Sequence, residues 1–155
     1  MSFRVLGLDP APFLHLYGQT AERLAECGVR RIRVDATPGF PDRVELRDLE
    51  QGDSALLLNF LHQPADSPYK SSHAIFIREG AMTRFDAIDR IPDVMRIRVI
   101  SLRAFSAGGE MVDADLAGGA SIEPLIVRYL ARPDVDYLHV HYAKRGCYAG
   151  RIERI

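Results

Sequence analysis

The chain lacks the signatures that most directly announce an activity: no phosphate-cradling glycine loop, no dinucleotide fingerprint, no paired CxxC and no HExxH occurs. Cofactor enzymes built on those motifs are thereby disfavoured, and no cofactor is named by the sequence. Cysteine is scarce. Two thiols, Cys27 and Cys147, in 155 residues are too few to staple a small secreted domain. Met1-Ser2-Phe3-Arg4 leads into a short apolar run without signal-peptide anatomy, and the longest apolar stretches, such as residues 55–58, are far too short to cross a bilayer. Neither sign of charge dominates, since 20 basic residues are interspersed with 21 acidic ones. A general affinity for nucleic acid or for an anionic membrane gets no support from that balance. The expectation is a cytoplasmic protein with reduced thiols, in which any anion binding is local.

A chain of 155 residues suits one domain spanning residues 1–155, large enough to bury roughly two thirds of its unfolded surface. Short alternating or apolar runs recur at residues 3–8, 29–35, 54–60, 73–78, 99–105 and 110–116. Each ends in proline, glycine or polar turn residues. Ser106-Ala107-Gly108-Gly109 is a hairpin signal because glycine accepts the positive φ of tight turns. The nearly continuous apolar run at 54–60 suits a central strand. Two helices stand singly among these runs. Thr20 is an N-cap candidate for the first, which ends at Gly28, with Cys27 expected to pack inside. Ser121 is a cap candidate for the second, whose Ile122, Leu125, Ile126, Tyr129 and Leu130 form one apolar stripe. Residues 84–96, broken by Pro92, read as a loop with a helical turn. The pattern predicts an α+β fold with a mostly antiparallel sheet, curled towards a barrel, and two main helices.

The last twenty residues hold the densest collection of reactive side chains. Two alternating runs flank Lys144-Arg145-Gly146-Cys147, so the segment reads as a closing β-hairpin. The period of two puts Tyr137, His139, His141 and Ala143 on one face and Leu138, Val140 and Tyr142 on the other. The two imidazoles project about 7 Å apart along the strand, a separation one metal can bridge from a twisted sheet. A third ligand would have to come from His73, His62 or a carboxylate, and the spacing fixes no ligand set. The plain alternative is a hydrogen-bonded core or cross-strand role. Cys147 follows two cations closely, which favours the reactive thiolate, yet free cysteine more often packs as a small apolar filler. Lys144 and Arg145 at a glycine turn suit anion capture, or an ordinary solvated hairpin tip. Ser67, Tyr69 and His73 enrich a proline-punctuated loop beyond what a turn needs, although no nucleophile elbow is present. Arg103, inside a strand, either reaches solvent or points into a polar site.

Four ordered segments carry a resemblance to a known family: 42–46 (DRVEL), 67–69 (SPY) with 73–78 (HAIFIR), 102–105 (LRAF) and 139–148 (HVHYAKRGCY). With these the chain resembles a small uncharacterised bacterial family, domain of unknown function 1203, over nearly its whole length. The resemblance brings no activity, substrate or cofactor. The family pattern often has a cysteine where this chain has Asp42 and an asparagine where it has Tyr142, so a two-thiol mechanism joining that loop to Cys147 cannot operate here. The leading expectation is a polar recess that binds a small anionic metabolite, with or without acting on it. Arg103, Lys144, Arg145, Tyr69, Ser67 and Arg43 would bind it, His73, His139 or His141 would move a proton, and Cys147 would be nucleophile or hydrogen-bond partner. Two other classes stay open: a non-catalytic interaction module, including a homodimer, and a histidine-based metal site.

Overall fold

In a computed structural model describing all 155 residues, the strands are β1 Phe3–Leu6, β2 Arg30–Arg33, β3 Ser54–Gln63, β4 Ser71–Arg78, β5 Asp86–Ile88, β6 Val99–Phe105, β7 Met111–Gly118, β8 Tyr137–Tyr142 and β9 Tyr148–Arg154. They form a six-stranded sheet in the order β5-β1-β9-β8-β6-β7 and a three-stranded sheet β2-β3-β4. Every strand pairing within them is antiparallel. The fold is α+β, and the run at 54–60 is the central strand of the small sheet. No barrel closes, because β5 and β7 end the large sheet on opposite sides. Closure is unnecessary for burial here, since other elements cover each face of the sheet's centre.

Strand alternation explains the layering. On β8, Leu138, Val140 and Tyr142 enter a core of 20 buried residues shared with Leu125, Ile126, Tyr129 and Leu130 of the helix α3, Glu123–Leu130. The other β8 face meets the small sheet, where Gln63 donates its Nε2 hydrogen to the Tyr137 hydroxyl at 2.8 Å and Phe60 lies against Tyr148. A second cluster of 10 buried residues lies beneath the small sheet. Burying both faces of β8 leaves all six of its residues inaccessible, which makes it the centre of the molecule.

The helices are α1 Ala21–Glu26, the single turn α2 Asp93–Arg96, and α3. Thr20 caps α1 as expected, its Oγ1 accepting the Arg23 N–H at 3.2 Å. Ser121 does not cap α3: it ends a 3-10 turn, Gly119–Ser121, and the helix starts after Ile122 with no side-chain cap. Pro124 in the first turn removes one of the N–H groups a cap would serve. Residues 84–96 contain a short strand, β5, as well as the expected helical turn. Cys27 is exposed rather than packed, because it follows the helix as its C-cap while Leu24 is the residue facing inward. The segment 42–48 is threaded against β1, with Leu8 N–H donating to the Arg43 carbonyl at 2.8 Å. A Cβ on Gly7 would stand 2.1 Å from the Val44 carbonyl oxygen, so only glycine allows that approach.

Candidate functional site

His139 and His141 lie two residues apart on β8 and therefore share the face turned to the small sheet. Strand pairing builds the rest of that face. On one side β6 places Arg103 opposite His139 and Ser101 opposite His141; on the other, β9 places Tyr148 opposite His141. The small sheet supplies two further imidazoles, His62 from the end of β3 and His73 from β4. A register shift between Leu61 and Gln63 makes His62 an extra residue in its strand, and His62 and Gln63 are both buried although adjacent. A bulge re-aims side chains in this way. A second shift, between Val140 and His141, falls on the facing hairpin.

Four imidazoles and a phenol thus form one packed group. His62 stacks on His73 with centroids 4.8 Å apart and on Tyr148 at 5.1 Å, each pair 8° from parallel. His141 meets His62 edge-on at 5.0 Å, and His139 meets Tyr148 edge-on at 5.1 Å. Ring nitrogens of His62, His139 and His141, one from each, all lie within 4.8 Å of one another, and all three residues are buried.

Hydrogen bonding fixes one lone pair in the group and leaves two further ring nitrogens unpartnered. Nδ1 of His141 lies 2.8 Å from the Gly146 carbonyl oxygen, which can only accept, so the proton is on Nδ1 and Nε2 carries a lone pair. That Nε2 is buried without a partner, as are Nδ1 of His62 and Nδ1 of His139. Nε2 of His62 is taken up by Nδ1 of His73 at 2.7 Å. Burial holds the rings neutral: it pushes His62 down to about 4, His139 to about 3 and His141 to about 2, with neighbouring Arg103 lowering all three further. His73 is lowered for the same reasons. Burial also raises the Tyr148 hydroxyl, which stays protonated at neutral pH.

The structure brings His73, Arg103, His139 and His141 together and places the other sequence-predicted residues elsewhere. Cys147 packs against the α3 core, on the Tyr142 side of the hairpin, where Arg43 Nη2 donates to its Sγ at 3.0 Å. Arg43 is itself buried. Its Nε donates to the Tyr148 carbonyl at 2.8 Å and Nη1 to the Pro41 carbonyl, so it faces protein rather than a ligand. Lys144 and Arg145 are exposed at the hairpin tip. Ser67 accepts the Tyr69 N–H and donates to the Gly109 carbonyl, which fixes the loop, while Tyr69 is exposed. His62 is the member of the group that the sequence leaves as one of several candidates, and nothing in the sequence singles out Tyr148. His62 continues the inward alternation of Leu56, Leu58 and Phe60, and the bulge brings Gln63 to the same side.

The family model described as "Protein of unknown function (DUF1203)" matches residues 39–154, a span that contains every residue of the histidine group. No curated protein and no solved structure matches the chain.

Proposed function

The chain belongs to the DUF1203 family, whose description assigns no activity, and from the geometry we propose that it binds a transition-metal ion through His62, His139 and His141. One observation carries the reading: three buried, neutral imidazoles from two sheets converge within 4.8 Å, each keeping an unpartnered ring nitrogen. An orphaned buried polar atom costs about 1–3 kcal/mol. Three around one point make an unexplained cost that a single ion would remove.

The chemistry of the donor set agrees. Neutral imidazole is the ligating form, and it suits zinc, copper, nickel and iron better than calcium or magnesium. Tetrahedral zinc at 2.0–2.1 Å needs nitrogens ~3.3 Å apart, so each ring would move inward by no more than about 0.8 Å. The outer contacts match those of ligating histidines, which direct their second nitrogen to a fixed acceptor: His141 to the Gly146 carbonyl and His62 to His73. The three ligand rings have centroids 5.0 to 6.3 Å apart, contact distances that leave no room for a metabolite among them. Three protein ligands leave a coordination position open, the arrangement of catalytic rather than structural sites.

Elemental analysis of protein purified without an affinity tag tests the reading. One metal per chain is expected, with added zinc, copper or nickel at 100 Kd raising Tm by about 5–10 °C. The double variant His139→Ala/His141→Ala should lose both effects. Absence of bound metal together with no thermal response of the intact chain to zinc, copper, nickel, manganese or ferrous iron would dispose of it.

A further inference from the structure

Arg103 is anomalous among the arginines of this chain. The arginines that are not fully exposed are Arg4, Arg43, Arg47, Arg78, Arg96, Arg98, Arg103, Arg132 and Arg151. Seven of the nine pair with a carboxylate, and Arg43 uses Nε and both Nη atoms on protein acceptors. Arg103 does neither. Its one side-chain hydrogen bond runs from Nε to the Ser101 hydroxyl at 3.2 Å, which leaves four N–H donors on the two Nη atoms without a protein partner.

No carboxylate pairs with it, and Glu153, whose charge reaches Tyr148, is itself taken by Arg151. Register places it opposite His139, and its charge is felt at His62, His73, His139 and His141 alike. None of the ion pairs of the chain includes it. Four neutral rings cannot balance a guanidinium, and a divalent ion among them would add to the same sign. The group is least covered on the side of His73 and Arg103, which are half-buried while His62, His139 and His141 are buried.

We propose that Arg103 and a metal held by His62, His139 and His141 together grip one small oxyanion, the ion taking one oxygen at its open position and the guanidinium fork the other. This inference rests on the metal-binding reading above. The ligand class is a carboxylate or phosphate group, since each can place one oxygen on the ion and offer another anionic oxygen to the charged N–H donors of the guanidinium. Binding of metal and anion is then mutually reinforcing, each tightening the other by the same factor.

Cobalt(II) serves as the probe ion because its visible absorption reports its coordination. The tag-free chain, saturated with cobalt in a non-coordinating buffer, is titrated separately with acetate and with inorganic phosphate. The expected result is a saturable spectral change with at least one of the two anions, and which one responds assigns the oxyanion as carboxylate or phosphate. In Arg103→Ala the anion Kd should rise by about tenfold or more, and Arg103→Lys, which keeps the charge but loses the fork, should stay impaired. Cobalt binding with no spectral response to either anion would overturn the anion site while leaving the metal site standing. Unaltered anion affinity in either folded variant would overturn it equally. Failure of cobalt to bind at all would overturn both.

Discussion

Nε2 of His62 stands 2.7 Å from Nδ1 of His73, and the two rings stack 8° from parallel. Two neutral imidazoles so placed share one proton, and which ring holds it decides what His62 can do. With the proton on His62 Nε2, the buried Nδ1 of His62 presents a lone pair to His139 and His141. With the proton on His73, the same Nδ1 must carry its own hydrogen and cannot ligate. His73 is therefore a positioning residue: as acceptor it selects the ligating tautomer of His62. His73→Ala should weaken metal affinity by about 10–100-fold with the one-to-one stoichiometry retained. His73→Asn, which can offer an acceptor oxygen, should recover part of the loss. Competition with a chelating dye checks this, and unchanged affinity in His73→Ala would remove the role.

Acid should unfold the metal-free protein through the same group. The folded state holds His139 down at about 3 and His141 at about 2, whereas an unfolded histidine titrates near 6.5. Below pH 6.5 the unfolded chain binds protons that the folded chain refuses, so stability is fully present above that pH and falls as pH drops towards the folded values. Each such histidine contributes a slope of about 1.4 kcal/mol per pH unit, so His139 and His141 together give about 2.7 kcal/mol per unit near pH 5. Urea unfolding between pH 4.5 and 7 measures it. His139→Leu should roughly halve the contribution of the pair, and a stability independent of pH across that range would contradict the buried neutral state.

The alternation of Tyr137 to Tyr142 makes the two faces of β8 legible from sequence, because a period of two survives whenever a strand is covered differently on each side. The hairpin at Gly108-Gly109 and the amphipathic α3 are legible for the same local reason. The same period puts His62 on the inward face of β3 with Leu56, Leu58 and Phe60, but it cannot tell that this face meets the imidazoles of β8, since the contact between two sheets is set by tertiary packing and leaves no local trace. Lys144, Arg145 and Cys147 mislead as neighbours of the imidazoles. Adjacency in a turn does not fix which side a residue takes, and here the tip turns to solvent while Cys147 turns to Arg43. Ser121 misleads because a 3-10 turn before α3 displaces the helix start by one residue.

Arg43 links the hairpin to the rest of the molecule without belonging to the histidine group. From a position only 1 % exposed it donates to the carbonyls of Pro41 and Tyr148 and to the sulfur of Cys147, while it and Arg98 both lie over the Tyr142 ring, 5.2 and 5.1 Å from its centroid. Two of its acceptors flank the turn whose Gly146 carbonyl fixes the tautomer of His141. Arg43→Met should cost about 3 kcal/mol, because buried carbonyls lose a charged donor that an apolar side chain cannot replace. Cys147→Ala removes the weaker sulfur acceptor and should cost less, about 1–2 kcal/mol. If Arg43 acts by holding the turn, the effect extends to the site. At a temperature where Arg43→Met remains folded, its metal affinity should fall, whereas Cys147→Ala should keep the wild-type affinity. Urea melts paired with metal titrations distinguish the two effects: equal stability loss in both variants, or full metal affinity in Arg43→Met, would separate this arginine from the geometry of His141.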